Sequence, residues 1–394
     1  MGRGSYEAVM NTLYLYNPEN DIALGHDPKA RFTAPRAAER LARYGAPVLW
    51  WVAEAGDAVY VPEPESEIYA EELALWRMEM ERRFGPGAEI VHTMNVDKMA
   101  EPWGWSAHTA RILAEGGGEV PEPIADNLGR IRDISHRHTS VEINRQIREE
   151  LGEKWGSRLQ AAGGREVRDA RELERVLGTM GCGVFVKSPW SSSGRGVADC
   201  RRLSDDKTRE RCLAIIARQG SVLVEPAYEK IQDFAMLFRS DGAGRVESVG
   251  LSVFMTERRA SYSGNLVASD ETLRARLVTL LPEELLRDVN RALERILTEI
   301  TDSCYRGYMG VDMMAVATER GEAAIVPCVE LNLRMTMGVV AHSLYRRLAG
   351  SGKAPSGPGL MKMIPGKRPA ATPEGLPLVP YNDFFNIVLE EGAL

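Results

Sequence analysis

The sequence predicts a mixed α/β and α+β protein, with a small doubly wound unit followed by a larger region of strands and helices in a different order. Three observations carry this. Over residues 12–115 short apolar runs alternate with helix signals, the order that builds a parallel sheet. After the proline-bearing stretch EVPEPIAD the pattern changes, and strands follow one another across short polar turns such as TERGE. With 394 residues, 44% of them hydrophobic and 27% charged, the chain has material for two or three domains of ordinary globular composition.

In the first unit TLYLY (12–16) reads as a strand running into the polar loop Asn17 to Asp21. Thr33 is suited to cap a helix beginning near Pro35, and PVLWWVA (47–53) is the continuous apolar run expected of a buried parallel strand. Ser66 opens a long helix to about Arg83, AEIV (88–91) is a third strand, and a helix over 106–115 ends at Gly116-Gly117-Gly118. Trp50 and Trp51 belong to the core, whereas Trp103 and Trp105 pack the linker. The first strand-to-helix turn is NPENDIALG, so the G-x-G-x-x-G of dinucleotide-binding units is missing where it would have to stand.

In the second region Thr139-Ser-Val-Glu142 has the form of a capping box, opening a helix to about Leu151, and Asp169 to Glu172 opens another. The strand GVFVK (183–187) follows, then a helix from Ser204 to Gly220 and strands at 221–225, 233–239 and 246–254. From Pro282 a long helix carries Leu285, Leu286, Val289, Leu293, Ile296, Leu297 and Ile300 on one stripe. GVDMMAV (310–316) and AIVPCVELN (324–332) flank the TERGE turn, and from Gly350 a Gly-, Pro- and Lys-containing tail is expected to be irregular and packed over the surface.

Composition excludes several functions. A net charge of −7 without a long basic run argues against nucleic-acid binding. Five scattered cysteines without C-x-x-C spacing suit a reducing compartment and neither a disulfide framework nor a zinc site. MGRGSYEAVM has no secretory signal pattern, and no apolar run approaches the roughly 18–20 residues that span a bilayer. The expectation is a cytoplasmic protein with no membrane partner.

The chemistry gathers in two places. Lys187 ends an apolar strand and leads into Ser191, Ser192, Ser193, Gly194 and Gly196, where hydroxyls and close-approaching backbone N–H groups can face phosphate oxygens. Alone, such a loop is a solvated hairpin. In VELNLRMTMG, however, Glu330, Asn332 and Arg334 alternate onto one strand face. A three-residue loop Arg320-Gly321-Glu322 sets Asp312 opposite Glu330, a bulge aside. Two opposed carboxylates repel unless a cation lies between them, and an amide oxygen beside them completes a hard-oxygen site for Mg²⁺ (or Mn²⁺). Arg334 can then grip a phosphoryl or carboxylate oxygen. Between the clusters, Glu225 sits at a strand end before Pro226, with Asp233 eight positions on.

The order strand-Lys-Ser/Gly loop, strand-Glu-x7-Asp, G-V-D and E-x-N-x-R resembles the ATP-grasp superfamily, mostly carboxylate–amine or carboxylate–thiol ligases, over about residues 125–345. The resemblance implies a small α/β domain (1–124) followed by two α+β subdomains (125–240 and 241–350) clamping a nucleotide, with 351–394 as an irregular tail. It implies that Lys187 contacts the α/β-phosphates, Ser191 to Gly196 close over them, Glu225, Pro226, Ala227 and Tyr228 form an adenine hinge, and Asp233 (or Glu225) holds the ribose. Asp312, Glu330 and Asn332 would hold Mg²⁺, and Arg334 would steady the transferred phosphoryl group. Such families often carry a second phosphate-binding lysine before the first helix of the grasp; here the stretch is RDISHRHTS, and Arg137 is the nearest cation. His136 and His138, without an acidic or cysteine partner in sight, read as polar loop residues.

The implied reaction is attack of a carboxylate on the γ-phosphoryl of MgATP, then displacement of phosphate by an amine or similar nucleophile, in a protein that by the habit of the superfamily is a homodimer. Arg258, Arg259, Tyr262 and Asn265 on the loop 255–265, with Asn17, Glu19 and Asp21 on the first-domain loop, are the candidate substrate contacts. A kinase passing phosphate to a stable acceptor and a non-catalytic nucleotide-binding module remain open.

Overall fold

The computed structural model describes residues 11–392, apart from 28, 162–163, 181–182, 192–195, 201–204, 258–260 and 367–374. Strands β1 (Thr12–Leu15), β2 (Ala58–Tyr60), β3 (Glu89–Val91) and β4 (Met99–Pro102) form a parallel sheet in the order β3-β2-β1-β4. Strands β5 (Arg165–Val167), β6 (Val184–Lys187), β7 (Val197–Asp199) and β8 (Val222–Pro226) form an antiparallel sheet in the order β5-β8-β6-β7. Eight more strands make the large antiparallel sheet: β9 (Lys230–Asp241), β10 (Val246–Glu257), β11 (Ser261–Val267), β12 (Arg306–Ala317), β13 (Ala323–Asn332), β14 (Gly359–Pro365), β15 (Leu376–Pro377) and β16 (Phe385–Glu390). Their spatial order is β13-β12-β9-β10-β11-β14-β16-β15. The chain is therefore the mixed α/β and α+β protein that its patterning predicts.

The large sheet is the central wall, and its alternation shows how it is covered. On β9, Phe234, Met236 and Phe238 cluster with Leu285, Val289 and Leu293 of the helix Glu283–Thr301. Ala235 and Leu237 point the other way, into a cluster with Val339, Val340 and Leu344 of the helix Met337–Gly350. The apolar stripe read from the sequence is that buried face of the helix Glu283–Thr301, with Ile300 only partly buried. Each fully buried Leu or Ile there contributes roughly 1.5–3 kcal/mol relative to exposure. Among the described residues no helix is long and apolar enough to cross a membrane.

Four elements differ from expectation. PVLWWVA is not a strand: Ala46–Trp51 is a buried 3₁₀ segment, and the sheet is built from β2 and β4, which the sequence reading missed. A wholly buried apolar run does not distinguish helix from strand, and Pro47 has no N–H to give to a ladder. Trp50 and Trp51 are core as expected, with Trp51 Nε1 donating to the Leu378 carbonyl at 2.9 Å. The capping box does not form. The helix His138–Trp155 has Arg137 in place of Thr139 at its N-cap, two residues earlier, Glu142 turns to Arg145, and the Ser140 hydroxyl accepts the Leu331 N–H at 3.2 Å, tying the helix to β13.

The other two lie later in the chain. Residues 255–265 are mostly the β10–β11 hairpin, not an open loop. The tail is not irregular, because β14 and β16 extend the large sheet and Ile387, Val388 and Leu389 are fully buried.

The hairpin that carries the acidic pair has the expected register by a different route. Its loop spans residues 318–322, so Ala317 faces Ala323 and Met314 faces Val326. A bulge in β13 then shifts the pairing by two, and Asp312 faces Glu330. Pro327 lies in that bulge, where a residue without an N–H costs the ladder nothing.

Candidate functional site

The site lies where the small antiparallel sheet faces the β12–β13 end of the large one. Lys187 is buried, and its Nζ lies 2.5 Å from Glu225 Oε2 and 3.4 Å from the Val329 carbonyl. Antiparallel pairing of β6 with β8 sets Phe185 against Glu225, so the carboxylate is within reach of the next inward side chain of β6. The loop after β6 closes through the Ser188 N–H, which donates to the Gly196 carbonyl at 2.8 Å. A Cβ at Gly196 would stand 2.4 Å from the Ser191 side chain, so this close approach requires glycine. Ser192, Ser193 and Gly194 lie outside the described residues, as do Arg258 and Arg259.

Across the cleft the two strands bring Asp312, Glu330 and Asn332 together. Asp312 is pushed up to about 7, first by burial and then by the Glu330 charge, against a lowering hydrogen bond from Asn332. Glu330 is held by Arg137, whose Nη2 sits 2.8 Å from Oε1 and also donates to Ser191 Oγ at 3.0 Å. Arg137 is buried, and among the described residues its Nε has no hydrogen-bond partner. Arg334 reaches the loops after β1 and β4, with Nε 2.9 Å from Asp21 Oδ2 and its backbone bridged to Gly104. Burial raises the Asp21 carboxyl, while Arg334 beside it opposes the rise. A small cleft is lined by Asp21, Trp190, Ser191, Glu330 and Asn332.

A divalent cation fits this donor set. Two opposed carboxylates and an amide oxygen are hard-oxygen donors, and the elevated Asp312 shows negative charge without full compensation. Among the described residues no group of three or more His, Cys, Asp or Glu side chains is placed to hold a metal, so two carboxylates are the acidic complement here.

Other expected residues are engaged elsewhere. The Asn17 side chain is engaged with Gly104 and Thr109, a tie between the loops after β1 and β4. Tyr262 and Asn265 are not exposed on a loop either: the Tyr262 hydroxyl donates to Asn265 Oδ1 and Asn265 donates to Ser252 Oγ, both at 2.6 Å. Asp233 Oδ2 is held by Lys230 and Thr256. In the hinge stretch Pro226 has no N–H and Ala227 gives its own to the Gly183 carbonyl, so neither donates to an adenine edge. Tyr228 packs beside Val316 and Val326.

Sequence reading missed several partners that the fold supplies. His136 and His138 do have an acidic partner, Glu166 on β5, at 3.7 Å and 3.4 Å. They are not a metal pair: His136 Nδ1 accepts the His138 N–H at 3.0 Å, which leaves the neutral ring's proton on Nε2, toward Glu166. Arg239 and Glu101 form an ion pair at 2.9 Å joining β9 to β4, and Trp190 carries Arg132 over its ring at 3.8 Å. No local motif announces such pairs, because their members lie 28 to 138 positions apart.

No protein-family model matches the sequence, and no curated protein matches it. Among solved structures the chain is similar to the biotin carboxylase domain of the Hydrogenobacter thermophilus 2-oxoglutarate carboxylase, at 14% identity over 96% of this chain and 85% of that one, with a TM-score of 0.49. It is similar to N5-carboxyaminoimidazole ribonucleotide synthetase from Thermus thermophilus at 13% identity, over 96% of this chain and 93% of that one, with a TM-score of 0.48. For the N5-carboxyaminoimidazole synthetase of Staphylococcus aureus the identity is 12%, the coverage 96% and 93%, and the TM-score 0.46. At this identity and these TM-scores the likeness says nothing of what this chain binds or which reaction it runs.

Proposed function

We propose that the chain is an ATP-grasp enzyme, an ATP- and Mg²⁺-dependent ligase that activates a carboxylate as its acyl phosphate for attack by an amine or similar nucleophile. The observation that carries this reading is the opposed, half-buried Asp312–Glu330 pair with Asn332, beside which Lys187 reaches the Val329 carbonyl, Arg137 joins Glu330 to Ser191, and Arg334 follows along the chain. In this reading residues 125–240 cover the nucleotide, residues 241–350 with β14 to β16 hold the phosphates and metal, and residues 1–124 help to present the substrate.

Little covalent work falls to the protein, so positioning and charge neutralisation dominate. Asp312, Glu330 and Asn332 hold Mg²⁺, which when bound neutralises and orients the phosphates. Lys187 exchanges Glu225 for phosphate oxygens, and Arg137 exchanges Glu330 for the nucleotide. Gly196 lets the serine loop lie close to the phosphates, with Ser191 at its start. Arg334, aimed by Asp21, steadies the phosphoryl group as it moves to the acceptor carboxylate.

The test is ATP turnover with Mg²⁺ in the presence of pooled small acids and amines, reading ADP and free phosphate together. Equal amounts of both, requiring acid and amine pools together and lost in Glu330→Gln, are expected. ADP without free phosphate would make the chain a kinase. ATP binding without turnover, kept in Glu330→Gln and lost in Lys187→Ala, would make it a nucleotide-binding module.

A further inference from the structure

The face of the large sheet away from Asp312 carries a second cavity, of about 370 Å³, between β10 and the helices Asp270–Val278 and Glu283–Thr301. Its floor is apolar and buried: Met236, Leu251 and Leu286. Met236 follows Ala235, the register partner of Asp312, and successive strand residues point to opposite faces. One sheet thickness therefore separates this cavity from the acidic pair.

The walls are charged, and the charges do not cancel. Asp270 is already engaged, accepting the Leu251 N–H at 3.0 Å and facing His342 at 3.5 Å. Glu284 takes Lys154 at 2.8 Å, and Arg291 takes Asp288 at 2.5 Å. Arg274, half-buried, and Arg287, exposed, remain, and among the described residues neither guanidinium makes a hydrogen bond or an ion pair. The Arg274 charge acts on Asp270 four positions before it, but among the described residues no carboxylate lies within ion-pair distance of either guanidinium. A guanidinium fork is matched by a carboxylate or a phosphate, and sites for small molecules commonly enclose about 300–1,000 Å³ with an apolar lining and a few polar groups.

We propose that this cavity binds a small organic anion, a carboxylate or phosphate monoester on an apolar body. Arg274 and Arg287 take the anionic group, and Met236, Leu251 and Leu286 take the body. Nothing in this assignment depends on the ligase reading of the opposite face.

Calorimetric titration of the full chain with phenyl phosphate and with 3-phenylpropionate tests it, with inorganic phosphate as the control that lacks a body. One-site binding is expected for at least one of the two probes, and which of them binds tells phosphate from carboxylate. Inorganic phosphate should bind at least tenfold more weakly. Saturating MgATP should leave the binding unchanged, and R274Q/R287Q should weaken it at least tenfold at an unchanged melting temperature. The single variants R274Q and R287Q give the same reading if the double variant melts early. Absence of binding by both probes, binding that survives the substitutions, displacement by MgATP, or inorganic phosphate binding as well as the organic probes would each overturn the proposal.

Discussion

The charged side chains of the cleft are held by opposite charges drawn from different elements: Lys187 by Glu225, Arg137 by Glu330 and Arg334 by Asp21. Asp312 is the exception: burial, and then the Glu330 charge, push its carboxyl up from the ordinary carboxylate range to about 7. The raised value means that the folded chain binds a proton more tightly than the unfolded chain. The Asp312 contribution to stability is therefore greatest below about pH 4 and falls as pH rises toward 7, at about 1.4 kcal/mol per pH unit. Thermal unfolding of the metal-free protein between pH 5 and 8 should show this fall, and Asp312→Asn should flatten it. Added Mg²⁺ should stabilise wild type more at pH 8 than at pH 6, because binding must displace the Asp312 proton. Stabilisation by Mg²⁺ that does not change with pH would remove Asp312 from the metal site.

At the scale of elements, two short contacts hold the site in shape. The loop after β6 depends on Gly196, where a methyl group would meet Ser191 at 2.4 Å and Ser188 at 2.9 Å. Gly196→Ala should cost about 1–3 kcal/mol by overpacking and weaken ATP binding at least tenfold, as calorimetry would read. The second contact is Ser140 Oγ with the Leu331 N–H, which anchors β13 between Glu330 and Asn332. Ser140→Ala leaves that buried N–H unpaired and should cost about 1–3 kcal/mol in denaturant unfolding, with Mg²⁺ affinity falling as the donors lose their alignment. Unchanged stability would mean that the N–H finds another acceptor.

Across the whole molecule, Arg334 and Asp21 join the segment that follows β1 to the one that follows β13, 313 positions apart in the chain. Arg334→Gln leaves the half-buried Asp21 without its partner and should destabilise by about 1–3 kcal/mol. In Asp21→Asn/Arg334→Gln both charges are gone, so much of the stability should return while turnover stays down about 10²–10³-fold. Recovery of turnover in the double variant would make Arg334 a structural residue alone. The C-terminal strands also act at this scale. Ending the chain at residue 358 would strip β14 to β16 from the large sheet and expose Leu266, Trp51 and Trp76 surfaces that they cover. Such a protein should aggregate or unfold at room temperature, by light scattering and circular dichroism.

Local signals determined what could be read without the fold. Ser66 caps the helix Glu67–Phe84, the stripe on Glu283–Thr301 is buried, and the alternation of Glu330, Asn332 and Arg334 puts the chemistry on one strand, because side-chain direction follows backbone period. The placement of Asp312 opposite Glu330 was legible only in outcome, since a longer loop and a bulge at Pro327 offset one another. Tertiary structure decided the rest. PVLWWVA became a 3₁₀ segment and the tail became strands because burial on all sides carries no period and edge strands need a sheet to join. The partners Glu225, Arg137, Asp21 and Glu166 came from distant elements, and a charge finds its counter-charge through the folded path of the chain, which no short window of sequence records.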